Sequence, residues 1–292
     1  MTNPVQNVAV LSPGDMGGAT GKQLHANGLQ VFTVLAGRSA LTRQIAADAG
    51  FIDCPDIDDL LGKVDMVISI LVPSEALKLG ETVAAAMKRT GKKPIYVDCN
   101  AIAPQTVEKI AALMAGAGAP FIDGGIIGGP PEPGSDTTFY CAGPDTAAFE
   151  SLNGRGITVK VVGPKIGQAS GLKMVYAAST KGTTALWTEL MVAARAMGLQ
   201  DALMAEYGDS NPAVKRNLGA IPGMAHKAGR WVGEMEEIAA TFEGLGMTPK
   251  ILEGAADMYR FVKSTPLGAL TSRDPHPALD EVIETLVNNR GE

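Results

Sequence analysis

The chain has 292 residues, 46% of them hydrophobic, and a formal net charge of −6 at neutral pH. That length and apolar content suffice for one or two full cores, and the acidic balance argues against a nucleic-acid partner. Cys54, Cys99 and Cys141 are odd in number and lack metal-ligand spacing, so no metal site is expected and a reducing, cytoplasmic setting follows. The opening MTNPVQN has neither a basic nor an apolar leader character, and no later run is long enough to span a bilayer, so no membrane association is expected.

Residues 7–22, NVAVLSPGDMGGATGK, organise the rest. Val8, Val10 and Leu11 suit a buried parallel strand, residues 12–18 turn the chain sharply, and residues 16–28 read as a helix with Ala19, Leu24 and Ala26 inward. A strand, a glycine turn and a helix N-terminus make a corner that fits a phosphate. The dinucleotide fingerprint G-x-G-x-x-G has Ser12 at its first glycine, so the same residues also fit an ordinary tight connection. The second strand, residues 30–36, shifts the balance toward the phosphate corner. An NAD-preferring fold places an acid near the end of that strand, and none stands between Thr33 and Leu41. The strand runs instead into Gly37-Arg38-Ser39, a cation and a hydroxyl suited to a 2′-phosphate, which favours NADP(H).

Helix is expected over residues 40–50, a brief strand over 51–52, an acidic helical turn over 57–62 and a buried strand over 66–71. Ser74 is placed to cap the next helix, which runs to Thr90. A strand over 95–99 leads through Asn100 and Pro104 into a helix over 105–114. This alternation predicts a doubly wound parallel sheet, whose ligands lie beyond the carboxyl ends of the strands. That rule gathers the Gly14 turn, Arg38, Leu71-Val72-Pro73 and Asn100. The glycine-dense FIDGGIIGG of residues 121–129 implies backbone passing close to a ligand or another strand. Two further strands, 137–141 and 157–162, flank a helix over 146–152.

No strand is expected after Gly163. Residues 166–198 read as a mostly apolar, hence buried, helix with a break at Gly182. Ser170, Lys173, Thr180 and Thr184 fall on one polar face of it, with Ala177 as a small gap. A buried lysine there is either used or packs its stem with its head in water. Met224, Trp231, Met235, Ile238, Phe242 and Leu245 form an amphipathic stripe read as core or subunit interface. His226 and Arg230 are assigned to the surface, and TSRDPHP, residues 271–277, to a linker before a helix over 278–287.

In these landmarks the chain resembles the β-hydroxyacid dehydrogenase and 6-phosphogluconate dehydrogenase-like superfamily over nearly its full length. Pro13-Gly14-Asp15-Met16-Gly17 resembles its G-x-G-x-M-G turn, and Leu71-Val72-Pro73 its loop along the cofactor. The segment from Asp98 to Pro104 is similar to D-x-S-T-x-x-P, with Asn100 and Ala101 in place of Ser-Thr. Residues 123–129 resemble the D-A-P-V-S-G-G substrate loop, with Ile127 for serine before Gly128 and Gly129. GQASGLKMVYA, residues 167–177, keeps the family's lysine as Lys173 and has Ala177 where asparagine is usual. STKGTTALW and HKAGRWVGEMEE are similar to the DUF1932 branch.

The resemblance implies an α/β Rossmann-type NADP-binding domain over residues 1–164 and an all-helical substrate and dimerisation domain over 165–292. The implied cofactor set is Pro13, Gly14, Asp15, Met16, Gly17, Arg38, Ser39, Leu71, Val72, Pro73 and Asn100. Asn100, Ile127, Gly128, Gly129, Ser170, Ala177 and Thr180 would meet a small-molecule substrate, with Lys173 as general acid and base, its pKa lowered by burial. Replacing the family's polar residues at 100, 101, 127 and 177 implies a bulkier or less polar substrate. An imine reductase and a non-catalytic NADP sensor are the alternatives, and a homodimer through the helical domain, on the Trp231 stripe, is expected.

Overall fold

The computed structural model describes residues 5–211, 213–271 and 274–291. Met1 to Pro4 of the expected leader-free start, and Ser272 and Arg273 of the expected linker, lie outside the described residues. Two compact units emerge, residues 1–174 and 175–292. The division falls inside a helix, between Met174 and Val175, whereas the sequence places it ahead of that helix.

The first unit is built on strands β1 (Asn7–Leu11), β2 (Gln30–Thr33), β3 (Ile52–Asp53), β4 (Met66–Ser69), β5 (Ile95–Asp98), β6 (Phe121–Ile127), β7 (Thr138–Ala142) and β8 (Thr158–Gly163). They form one sheet in the order β3-β2-β1-β4-β5-β6-β7-β8. The pairings from β3 to β6 are all parallel, β7 runs antiparallel to β6, and β8 is parallel to β7. Between the strands lie α1 (Asp15–Ala26), α2 (Ala40–Asp48), α3 (Ile57–Leu61), α4 (Pro73–Thr90), α5 (Pro104–Gly116) and α6 (Ala147–Glu150), with α7 (Gln168–Ala177) after β8.

Strand residues alternate between two cores, as a sheet covered on both faces requires. Val8, Val10, Met66, Ile68 and Val97 enter one with Leu24, Phe139 and Phe149. Ala9, Leu11, Val67 and Tyr96 enter the other with Leu60, Val83, Met87 and Ile110. Helix α1 turns Gly17, Gly18, Gly21 and Leu24 inward, and Ala26 is exposed. Its glycine face lets the helix approach too closely for an alanine stripe. Helix α4 starts one residue before the expected Ser74 cap, with Val72 as N-cap and Pro73 in the first turn. Proline lacks the N–H that a cap would satisfy and has a fixed helical φ.

The second unit is helical, and no strand follows β8 among the described residues. Past the end of α7 it contains α8 (Thr183–Ala196), α9 (Gln200–Ser210), α10 (Val214–Leu218), α11 (Ile221–Ala225), α12 (Ala228–Gly244), α13 (Lys250–Ser264) and α14 (Leu279–Asn288). Between α7 and α8 the break expected at Gly182 is a π-helical turn, Ala178–Gly182. A π turn inserts one extra residue, so spacing counted on an unbroken α-helix loses phase there. The expected polar face is accordingly not one face: Ser170 and Thr184 are buried, Lys173 is half-buried and Thr180 is exposed. Nor is the helix buried all round, because Val175, Tyr176, Leu186, Leu190 and Met197 are exposed by 38% or more.

The Trp231 stripe runs from core to surface: Trp231 and Phe242 are partly buried and Leu245 is exposed. Met224, Met235 and Ile238 are fully buried, and Trp231 meets the buried Tyr259 ring edge-on at 5.2 Å. The Tyr259 hydroxyl donates to the Lys181 carbonyl at 2.5 Å, tying α13 to the π turn. Lys181 and Arg230 both pair with the buried carboxylate of Glu234, and the Lys181 ammonium lies 5.6 Å from the Trp231 ring centroid. Arg230 is half-exposed, whereas His226 is only partly exposed, its ring 4.8 Å from that of His276. Desolvation holds the Lys181 ammonium below its ordinary pKa despite Glu234.

Glu234→Gln should therefore strand the Lys181 charge in the core. Urea denaturation is expected to show a loss of about 3–5 kcal/mol, the usual effect of removing one partner of a buried pair.

Candidate functional site

The parallel run of β1 to β6 places the carboxyl ends of those strands along one edge of the sheet. The order reverses between β1 and β4, which is the switch point where open α/β sheets hold their ligands. From β1 the chain passes through Ser12, which adopts φ 72°, a left-handed conformation that glycine takes without strain. Ser12 therefore preserves the turn that a first glycine would make. Its carbonyl accepts from the Gly14 N–H at 2.8 Å, and Gly14 is the N-cap of α1. A Cβ added at Gly17 would fall 2.7 Å from the Ser12 carbonyl oxygen, so the helix can sit this close only with glycine there. Gly14 has an ordinary φ of −89° and nothing within 4 Å of an added Cβ. Neither strain nor packing demands glycine at that position, and its open face fits the pyrophosphate of a dinucleotide. Pro13 is buried, Met16 partly so, and Asp15 is exposed in the first turn of α1.

Beyond β2, Arg38 and Ser39 are exposed. Ser39 caps α2, its hydroxyl accepting from the Thr42 N–H at 3.2 Å. Arg43 is a cation the sequence reading passed over. Its Nε donates to the Arg38 carbonyl at 3.3 Å, and its place one turn past the Ser39 cap was the available signal. Arg38 borders two cavities. One, of about 220 Å³, also meets Ser12, Leu71, Val72 and Lys78; the other, of about 350 Å³, meets Leu11, Val34, Ala36 and Ile57. The Ser12 turn, Arg38 and the loop after β4 are thus brought together, and Pro73 opens α4 directly behind that loop.

Asn100 is buried and its amide is spent inside the fold. Its Nδ2 donates to Ser69 Oγ at 2.8 Å and Asp98 Oδ2 at 3.0 Å, and its Oδ1 accepts from the Leu71 N–H at 2.7 Å. Asn100 thereby ties the end of β5 to the loop after β4. Asp98 is fully buried, and desolvation raises its pKa to about 7 against the hydrogen bonds from Asn100. Asp123, its partner in the β5–β6 register, is also buried, and desolvation raises it to about 6.

The glycines of β6 approach protein rather than open space. A Cβ at Gly124 would fall 2.7 Å from the Asp98 carbonyl oxygen, and one at Gly125 would fall 2.7 Å from the Ala169 carbonyl oxygen and 3.2 Å from Lys173 Cβ. Lys173 thus sits against the strand that ends at Ile127 and continues into the exposed Gly128 and Gly129. Ser170 does not face an opening: it is buried, with its N–H directed at Asp123 and its hydroxyl donating to the Gly167 carbonyl at 3.3 Å. Ala177 and Thr180 belong to the second unit, where Thr180 Oγ1 donates back to the Ala177 carbonyl at 3.3 Å.

A carboxyl whose pKa is raised on folding stabilises the fold most below its unfolded value, and that contribution fades as pH climbs through the folded value. Relative to Asp98→Asn, the wild type should lose stability as pH rises from the ordinary carboxyl value of 3.8 to about 7. Urea denaturation of both proteins across that range measures the difference.

Comparison with known proteins adds the lineage. Residues 194–262 match the domain of unknown function DUF1932. An uncharacterized 28.5 kDa protein from Methanothermus fervidus is 32% identical over 188 residues, covering 64% of this chain and 70% of that protein. A solved conserved protein of unknown function, described as structurally similar to 3-hydroxyacid dehydrogenases, is 27% identical with a TM-score of 0.68, over 88% of this chain and 96% of that one. The Mycobacterium tuberculosis 3-hydroxyisobutyrate dehydrogenase, solved with L-serine, shares the fold at 18% identity and a TM-score of 0.70, over 96% of this chain and 99% of that one. Residues 7–154, the turn, both cavities and β6 among them, match the NAD binding domain of 6-phosphogluconate dehydrogenase, and the chain belongs to that family, with a hydroxyacid dehydrogenase-like fold.

Proposed function

We propose that the chain is an NADP(H)-dependent dehydrogenase or reductase that interconverts a hydroxyl and a carbonyl group, with Lys173 as its general acid and base. The observation that carries this reading is the packing of Lys173 against Gly125 of β6, two residues before the strand leads into the exposed Gly128-Gly129 loop. That loop leaves the sheet at the edge where the Ser12 turn, Arg38 and Asn100 also lie.

Gly14, with Pro13, Asp15, Met16 and Gly17 around it, would receive the pyrophosphate, and Leu71, Val72 and Pro73 would flank the nucleotide. Arg38 and Arg43 supply two cations beside the Ser39 cap, which supports a 2′-phosphate and so NADP(H) over NAD(H). When bound, the nicotinamide supplies or accepts hydride. In reduction the Lys173 ammonium gives its proton to the carbonyl oxygen; in oxidation the neutral amine takes the hydroxyl proton. Asn100 serves by fixing Leu71, since both its amide protons and its oxygen are engaged within the fold. Ile127, Gly128 and Gly129 offer an apolar side chain and bare backbone, which supports a less polar or bulkier substrate than a small hydroxy acid. We also propose Ala177 and Thr180 as substrate contacts.

A homodimer through the helical unit is part of the same reading. Leu186, Leu190 and Met197 recur at helical spacing on α8 and just beyond it, and all three are exposed, which favours this surface over the Trp231 stripe. Sedimentation should give a dimer at micromolar concentration, and Leu186→Glu with Leu190→Glu should give a monomer.

Titration should show that Arg38→Ala weakens NADPH by about 1–3 kcal/mol while barely changing NADH, the range for charge-assisted hydrogen bonds. In a screen of ketones, hydroxy acids and cyclic imines, Lys173→Met should lower kcat on the best substrate by about 10²–10⁴-fold. A wild-type rate from that variant ends the proton-transfer role. A cyclic imine turned over faster than any carbonyl compound replaces the substrate class.

A further inference from the structure

We infer that Asp123 and Gly125 are positioning residues for Lys173: β6 clamps the start of α7 at one polar and one steric point, and so fixes the lysine relative to the Gly128-Gly129 loop. This rests on the proposed role of Lys173. The first turn of a helix has N–H groups with no acceptor inside the helix. In α7 they are all accounted for. The Gln168 N–H bonds the Lys165 carbonyl at 3.2 Å, and the Gly171 N–H bonds the Gly167 carbonyl at 2.9 Å. The Ala169 N–H reaches Asp123 Oδ2 at 2.8 Å, the Ser170 N–H reaches both Asp123 oxygens at 3.2 Å, and the Gly167 N–H, just ahead of the helix, reaches Oδ2 at 2.9 Å. The cap of α7 therefore comes from a strand 44 residues earlier in the chain. A carboxylate at a helix N-terminus also meets the favourable end of its dipole.

The second point lies one turn further along. With no side chain at Gly125, the strand touches α7 at the Ala169 carbonyl and at Lys173 Cβ. The carboxylate fixes where the helix starts, and the glycine fixes how deeply it lies. On the other side of β6, Gly124 leaves no room for a side chain against the Asp98 carbonyl, so the same strand also lies close to the end of β5, two residues before Asn100. The lysine helix, the glycine loop and the Asn100 turn are thereby referenced to one three-residue stretch. General acid catalysis is sensitive to such referencing, because the donor must lie within hydrogen-bond reach of the reacting oxygen. A device that merely stabilised the helix would not need a steric contact at the lysine itself.

The test uses the full chain with Asp123→Ala, Gly125→Ala and Lys173→Met. An amine-directed reagent, trinitrobenzenesulfonate, reports the accessibility of the Lys173 amine without any substrate, with labelling located by peptide mass spectrometry and the buried Lys181 as internal reference. The expected result is several-fold faster labelling of Lys173 in both clamp variants, with Lys181 and NADPH affinity as in wild type. With the best compound from the substrate screen, kcat should fall by about 100-fold, the cost of a misplacement near 1 Å, with KM little changed. Asp123→Asn, which keeps one acceptor oxygen in place, should recover part of the loss. Wild-type labelling of Lys173 in both variants overturns the inference, as does a wild-type kcat accompanied only by a lower melting temperature. If Asp123→Ala does not fold, Gly125→Ala decides alone. If Lys173→Met keeps the wild-type rate, the proton-transfer reading fails, whereas loss of activity in Lys173→Met with full activity in both clamp variants removes only the clamp.

Discussion

The common direction of the first six strands is the constraint from which the rest follows. Parallel strands must each be followed by a return across a face of the sheet, so their carboxyl ends accumulate along one edge and their loops all emerge there. The Ser12 turn, Arg38, the Leu71 loop, Asn100 and the Gly128-Gly129 loop come from five different strands, yet the topology leaves them no other edge to occupy. Antiparallel β7 ends the run. The chemistry of this edge is set by which residues each strand ends on, while the sheet itself is indifferent to them.

Two buried carboxylates, Asp98 and Asp123, interrupt the apolar interior of the first unit. Asp98 and Asp123 face each other in adjacent register, and each is surrounded by donors: the Asn100 backbone and amide for one, the α7 backbone for the other. Burying an acid is costly, and the raised pKa values record that the donors offset the cost only in part. What the protein gains is geometry. Each acid organises a loop or helix start that lacks a partner of its own, and a neutral apolar residue in either place would leave those N–H groups unsatisfied.

Much of the frame was legible because it is periodic and local. The β-branched runs at β1, β4 and β5 and the glycine turn marked a doubly wound sheet directly, and Lys173 and Arg38 stood out as cations where surrounding residues were apolar or small. What escaped was non-local. Asn100 reads as a loop polar group open to a ligand, and only the approach of Ser69 and Leu71 shows that its amide is consumed. Ser170 reads as part of a polar helix face, and Asp123, distant in sequence, draws its N–H into the core. The π turn shifts the helical phase between Lys173 and Thr184, so the face drawn across it does not exist. The Trp231 stripe has the period of a packed helix but carries no mark of what it packs against, and Tyr259 and the Lys181–Glu234 pair supply that answer.

Ser12 has an implication for how such corners are recognised. Its backbone occupies the left-handed basin although its side chain does not favour it, and the carbonyl still meets Gly14 and still abuts Gly17. The torsion angle is present here without the glycine that usually signals it, at a penalty of roughly 1–2 kcal/mol. A census of nucleotide corners made by letter pattern would pass over chains like this one. A census made by dihedral angle would collect them, and would show how often the shape outlasts its spelling.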